Sequence, residues 1–145
     1  MEKVKSIRVA NNQAELDKIV EFVEATGIEW NFNAKLSGEI NLMLEELFVN
    51  TVSYGYPDQS EGSVEIKLSA GGGELAIEFS DDGEEFNPLS IAAADTELDI
   101  MHRKIGGLGM HLIRQISDSV EYKRNGNFNT LIMLRVKEVA TAELL

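Results

Sequence analysis

Two periods of apolar residues divide the chain into helices and strands. Helical spacing predicts helices at 13–25, 33–54 and 109–118, and alternation predicts strands at 4–10, 63–70, 74–80, 120–124 and 130–136. We expect Gly27 to end the first helix and residues 125–129 to form the last turn. This order predicts an α+β fold, a two-layer sandwich in which a mostly antiparallel mixed sheet carries helices on one face.

The segment between the predicted strand at 74–80 and the last predicted helix differs in composition from the rest of the chain. Residues 81–106 are rich in polar side chains and show weak periodicity, so we interpret them as a long functional loop. No repeat or low-complexity linker interrupts the 145 residues. The length and the ordinary apolar content therefore predict one domain over residues 1–145.

The formal net charge of −12 narrows the classes of partner. Nucleic acid and anionic membrane surfaces require basic patches, so we expect neither as a partner. A nucleotide remains compatible with this charge if backbone N–H groups and a metal ion neutralise its phosphates. The chain has no cysteine, no apolar signal sequence and no run long enough to cross a bilayer, which predicts a cytoplasmic protein.

Three polar residues follow one another at intervals of four within the second predicted helix. Glu46, Asn50 and Tyr54 lie beside its apolar stripe, whereas Glu45 points towards solvent. A carboxylate at the border of a pocket can act as a general base, and a carboxamide oxygen can ligate magnesium. The alternative interpretation is the polar flank of an ordinary amphipathic helix.

An acidic residue ends the second strand of the predicted hairpin. Alternation places Asp81 on the same face as the apolar residues before it, while Asp82 points the other way. A carboxylate on an apolar face requires a donor, and the exocyclic amino group of a base such as adenine is suitable. Gly83 would allow a flat ligand to approach the backbone. Alternatively, these residues simply begin a turn.

Glycines open the third predicted helix in the stretch KIGGLGMHLI. Free N–H groups at a helix N-terminus can bind phosphate. The dinucleotide-binding and P-loop patterns are both absent here. Hinges of a mobile loop are the alternative interpretation.

Taken together, the order and spacing of these three motifs resemble the GHKL (Bergerat-fold) ATPase superfamily. The resemblance covers nearly the whole chain and consists of three motifs: Glu46-x-x-x-Asn50-x-x-x-Tyr54-Gly55-Tyr56 as the N box, Asp81-x-Gly83 with Phe86-Asn87-Pro88 as the G1 box, and Gly107-x-Gly109 as the G2 box after an ATP lid. Within this superfamily, the chain is most similar to the anti-sigma-factor serine/threonine kinases in its small size and in the run GGLGMHLIRQISDSVEYKR.

The resemblance implies a role for each matching residue. Glu46 is the expected catalytic base, and Asn50 is the expected ligand of Mg²⁺ beside ATP. Asp81 is expected to accept from the adenine amino group, with Gly83 beneath the base and Thr130 beside Asp81. The phosphates are expected to meet a further set of residues: Lys104, Gly107, Leu108 and Gly109.

The same resemblance implies protein partners. These are a small anti-sigma-factor antagonist of the STAS type, which would receive the phosphate, a sigma factor, and a second copy of the chain. The sequence departs from the family at Tyr54, where the family often has His, and at Asn129-Thr130, where the family often has Gly-Thr. Ile105 stands where the best-known relatives carry a basic residue. This last departure leaves open an alternative function, a nucleotide-dependent protein-binding switch without kinase activity.

Overall fold

The computed structural model describes residues 2–56, 60–87, 89 and 108–135. Its regular elements, in chain order, are β1 (Lys3–Ala10), α1 (Leu16–Glu29), α2 (Ala34–Tyr54), β2 (Ser63–Gly71), β3 (Glu74–Asp81), α3 (Leu108–Ile116), β4 (Ser119–Asn125) and β5 (Phe128–Arg135). The predicted order of strands and helices is confirmed across these ranges. Of the predicted loop at 81–106, only residues 81–87 and 89 lie within the described residues.

The five described strands form one sheet in the order β1-β2-β3-β5-β4. Every pairing among them is antiparallel, so the sheet, predicted as mostly antiparallel and mixed, is antiparallel throughout the described part of the chain. The register of the central pair places Asp81 of β3 opposite Asn129 of β5. This pairing decides which side chains meet at the end of the sheet.

In the described part of the chain, helices cover one face of the sheet and leave the other face open. The core joins side chains of α1 and α2 to alternate residues of the strands: Ile19, Val23, Ile40, Leu44, Leu47, Val64, Ile66, Leu68, Phe79, Leu131 and Met133. On the opposite face, Arg8, Glu65 and Lys123 are exposed. The predicted two-layer α+β architecture is therefore confirmed.

The first helix extends beyond the predicted end. It continues through Gly27 to Glu29, and Gly27 is buried within it. A Cβ atom on Gly27 would lie 2.7 Å from Ser37 Oγ of α2. The prediction that Gly27 ends the helix is therefore wrong, because this glycine lets α1 and α2 approach closely instead.

The last hairpin has a shorter turn than predicted. Asn125 pairs with Phe128, so only Gly126 and Asn127 form the turn, and Gly126 has φ of +58°. Glycine at the first position of a two-residue turn is typical of such hairpins, because that position requires a positive φ. Asn129 was predicted to lie in the turn, but it belongs to β5.

The second helix ends close to the irregular segment that follows β3. Its N-cap is Asn33, whose side-chain oxygen accepts from the Leu36 N–H at 2.8 Å. Its C-cap is Gly55. Among the described residues, no helix is long and apolar enough to span a bilayer.

Candidate functional site

Two of the three polar residues of α2 form a hydrogen-bonded pair. Glu46 is only 8% exposed, and its Oε2 accepts a hydrogen bond of 3.0 Å from Asn50 Nδ2. Glu45, the next acidic residue, is exposed, as predicted. Because the amide nitrogen of Asn50 faces the carboxylate, its carbonyl oxygen is directed away from Glu46. The helix therefore presents an oxygen ligand next to a buried carboxylate.

The third residue of that series has a different environment. Tyr54 is the last residue of α2 and is 57% exposed. Its ring lies against Phe86, with 5.7 Å between the ring centroids and an interplanar angle of 32°. The two aromatic rings therefore connect the end of the helix to the segment that follows β3.

The carboxylate at the end of β3 is buried, as the alternation predicted. Asp81 is 6% exposed, and its Oδ1 accepts hydrogen bonds of 2.9 Å from the Gly83 N–H and from Asn129 Nδ2. Burial raises the pKa of Asp81, and these two donors offset only part of the rise. Among the described residues both donors reach the same oxygen, which leaves Oδ2 for a ligand's donor.

The neighbouring carboxylate points to the other side of the strand, also as predicted. Asp82 Oδ1 accepts from the Tyr56 hydroxyl and from the Ser63 N–H. Partial burial opposes ionisation, but these donors outweigh it and hold the pKa of Asp82 below its usual range. Burial, followed by the bond to Asp82, raises the pKa of Tyr56. Asp82 thus fastens β3 to the start of β2.

Two glycines join the segment after β3 to the end of α2. The Glu84 N–H donates to the Gly55 carbonyl at 2.8 Å. A Cβ atom on Gly83 would lie 2.5 Å from that same carbonyl oxygen. Gly83 therefore packs closely against Gly55. The approach of a ligand to the backbone at Gly83 stays a prediction.

The residue beside Asp81 across the sheet is Asn129, not Thr130. Asn129 is 4% exposed and shares the buried face with Leu131 and Met133. Thr130 pairs with Ser80, and their hydroxyl oxygens are 3.1 Å apart on the face opposite to Asp81. The expectation that Thr130 lies beside Asp81 is therefore wrong, because β5 directs Asn129, and not Thr130, to the buried face.

The remaining predicted site residues are described only in part. Lys104 and Gly107 lie outside the described residues. Leu108 and Gly109 form the first residues of α3, in agreement with a glycine-rich motif that opens into a helix. This helix packs against α2.

Four residues that build the end of the sheet were not predicted as site residues: Gly55 and Asn129, which were named only within motifs, and Tyr122 and Arg124, which were not singled out. Arg124 Nη1 donates to the Gly83 carbonyl at 2.8 Å, and the Tyr122 hydroxyl donates to Asn129 Oδ1. The two-residue turn at Gly126-Asn127 was a signal that could have placed Asn129 in β5 opposite Arg124 of β4. Periodicity alone could not, since β5 is apolar on both faces.

Similarity to known proteins agrees with this arrangement. The family model of the histidine kinase-like ATPase domain matches residues 9–135. The chain belongs to this family. The resemblance to GHKL ATPases stated from the three motifs is thereby confirmed, and ATP binding with kinase-like chemistry is the activity of the family.

Two known proteins illustrate this similarity. "Serine/threonine-protein kinase BtrW" of Bordetella bronchiseptica is 20% identical over 112 residues, which cover 77% of this chain and 79% of the relative. The histidine kinase domain of the Erythrobacter litoralis EL346 blue-light activated histidine kinase has a TM-score of 0.56 and 16% identity. That match covers 91% of this chain but 63% of the other, and it establishes the shared fold.

Proposed function

We propose that the protein is an ATP- and Mg²⁺-dependent serine/threonine kinase that phosphorylates a small anti-sigma-factor antagonist protein. The observation that carries this proposal is the Glu46–Asn50 pair, a buried carboxylate held beside a carboxamide on α2. A carboxylate in this setting can activate a hydroxyl nucleophile for attack on a phosphoryl group. The name of the relative BtrW, a serine/threonine-protein kinase, supports the same class of reaction.

Glu46 is the proposed general base. Its carboxylate would take the proton of a serine or threonine hydroxyl as that oxygen bonds to the γ-phosphorus of ATP. The bond between that phosphorus and the β,γ-bridging oxygen breaks, and ADP leaves with the electron pair. The hydrogen bond from Asn50 fixes the orientation of the carboxylate for this step.

Asn50 is the proposed magnesium ligand, and the donor set fits a hard cation. Its amide nitrogen is engaged by Glu46, so its oxygen is the atom that can coordinate. When bound, Mg²⁺ would supply positive charge to the phosphates of the nucleotide. A cation that neutralises the phosphates is compatible with the net charge of −12 of this protein.

Asp81 is the proposed acceptor for the adenine amino group. It is buried at the end of β3, and both of its protein donors reach a single oxygen. Leu108 and Gly109 at the start of α3, with Gly107 and Lys104 before them, complete the proposed site on the phosphate side. The helix N-terminus is a suitable environment for phosphate groups.

The partners are proposed from the resemblance and from charge. An acidic kinase of this type fits an antagonist protein and a sigma factor that present basic surfaces, and a homodimer is the proposed assembly. Neither nucleic acid nor a membrane is proposed as a partner, and the cytoplasm is the proposed location.

The proposal is tested by calorimetric titration with ATP and ADP, with and without Mg²⁺, followed by a phosphoryl-transfer assay on candidate antagonist proteins. We expect magnesium-dependent binding, and transfer to one serine or threonine. Glu46→Gln should keep nucleotide affinity within about threefold and reduce transfer by about 100-fold or more, since positioned bases contribute about 10²–10⁴-fold.

Glu45→Gln is the matched control, because it makes the same change at an exposed position of the same helix. It should transfer phosphate at the normal rate. Normal transfer by Glu46→Gln would remove Glu46 from the role of base. Binding without transfer to any partner would instead favour the nucleotide-dependent switch, for which the replacement of a basic residue by Ile105 is the motivating observation.

A further inference from the structure

The carboxamide of Asn129 has all of its hydrogen-bonding capacity in use. Its nitrogen donates to Asp81 Oδ1 at 2.9 Å and to the Glu84 carbonyl at 2.8 Å. Its oxygen accepts from the Phe86 N–H at 3.2 Å and from the Tyr122 hydroxyl. A side-chain amide offers two donor hydrogens and two acceptor lone pairs, so these contacts saturate it.

This set of partners permits only one orientation of the amide. The Phe86 N–H and the Tyr122 hydroxyl are both donors, so they require the oxygen of Asn129 on their side. Asp81 and the Glu84 carbonyl are both acceptors, so they require the nitrogen. Burial raises the pKa of Tyr122, which keeps its hydroxyl protonated and able to donate. Rotation of the amide by 180° would place its nitrogen against the two donors and its oxygen against the two acceptors.

The fixed amide in turn fixes Asp81. Asn129 and the Gly83 N–H both bond Oδ1, which sets the carboxylate plane and leaves Oδ2 as the oxygen available to a ligand. The charged groups with influence on this carboxylate are Asp82 and Arg124, and neither contacts Oδ1 in the described part of the chain. The direction of Asp81 Oδ2 therefore depends on a residue 48 positions away.

We infer that Asn129, held by Tyr122, is a positioning residue that determines base specificity by directing the free oxygen of Asp81 towards the amino group of the base. This inference rests on the proposed nucleotide-binding function and names the residue that makes the site select adenine. Asn129 acts through Asp81 and is not itself placed against the ligand.

The test compares the affinities of ADP and IDP, because IDP carries an oxo group where ADP carries the amino group. A hydrogen bond to a charged acceptor contributes about 1.5–3 kcal/mol, so the wild-type protein should prefer ADP by about 10- to 100-fold. In Asn129→Asp, which loses both donors, the preference should fall below about threefold, mainly through weaker ADP binding. A merely structural role would weaken both nucleotides equally and leave their ratio unchanged.

Two further variants complete the experiment. Tyr122→Phe removes one donor to Asn129 and retains the ring, so the ADP preference should fall roughly threefold to tenfold in a protein that keeps its core. Asn125→Asp makes the same chemical change at an exposed position of the same hairpin and should keep the wild-type ratio.

The outcomes separate the two proposals. Unchanged ADP-to-IDP ratios in both Asn129→Asp and Tyr122→Phe would overturn the inference while leaving nucleotide binding intact. If Asn129→Asp does not fold, the ratio in Tyr122→Phe decides. Wild-type protein that binds neither nucleotide would mean that the proposed function itself is wrong, whereas equal binding of both nucleotides would contradict the role of Asp81.

Discussion

Two carboxylate–carboxamide pairs lie in different layers of the molecule and are built differently. In α2, Asn50 donates a hydrogen bond of 3.0 Å to Glu46 across one helical turn. At the end of the sheet, Asn129 donates a bond of 2.9 Å to Asp81 across two strands. Asn50 is half-buried, while Asn129 is 4% exposed and makes four hydrogen bonds.

The difference shows how the same chemistry serves two purposes. The helical pair keeps an amide oxygen directed away from its carboxylate, which suits a residue that meets a ligand. The sheet pair uses every polar atom of its amide within the protein, which suits a residue that holds another in place. We therefore expect substitution of Asn129 to cost more stability than substitution of Asn50.

The largest expected effect is on the free energy of unfolding. Asn129→Ala removes four hydrogen bonds and leaves a buried carboxylate with one donor fewer, so it should cost about 3 kcal/mol. Asn50→Ala breaks one bond at a half-buried position and should cost about 1 kcal/mol. Urea denaturation monitored by circular dichroism measures both values.

Nucleotide titration of the same two variants completes the comparison. Asn50→Ala should lose the magnesium-dependent part of ATP affinity despite its small effect on stability. Equal losses of unfolding free energy in Asn50→Ala and Asn129→Ala would contradict the division of roles between the pairs.

A smaller effect is expected on the pH dependence of stability. Asp81 and Asp82 should contribute to it with opposite signs. The raised pKa of Asp81 means that ionised Asp81 opposes folding, and this penalty is absent at low pH and complete once pH exceeds the folded-state pKa. The lowered pKa of Asp82 means that its stabilisation is present above the unfolded-state pKa and is lost as pH falls through the folded-state pKa.

Melting temperatures of two variants over the range from about pH 3 to about pH 7 test these signs. Relative to the wild type, Asp81→Asn should gain a few degrees as pH rises, and Asp82→Asn should lose a few degrees. Parallel pH profiles for the two variants would show that the two carboxylates do not differ in the way their hydrogen bonds indicate.

The smallest effect is expected on the open face of the sheet. Thr130→Val breaks the hydrogen bond to Ser80, a contact between two partly exposed hydroxyl groups, and should cost about 0.5–1 kcal/mol. ATP affinity should remain within about twofold of the wild type. A tenfold loss of affinity would restore Thr130 to the nucleotide site and contradict the register that places Asn129 beside Asp81.

Local patterns were sufficient for the fold and for the helical pair. The order of elements and the burial of Glu46 and Asp81 follow from periods of 3.6 and 2 residues within single elements. The sheet pair could not be predicted in this way, because Asp81 and Asn129 meet only through strand register. No hairpin turn joins β3 to β5, so the sequence carries no local signal for their register, and an error of one position moves every side chain of β5 to the other face.

The contact between Gly55 and the residues after β3 has a thermodynamic consequence for ligand binding. Because the Gly55 carbonyl accepts from the Glu84 N–H and packs against Gly83, the end of α2 is held against the end of β3. The spacing between the two carboxylate–carboxamide pairs is thus set when the chain folds. A ligand that contacts both pairs loses little affinity to the ordering of these side chains, since their conformational entropy was already lost in folding.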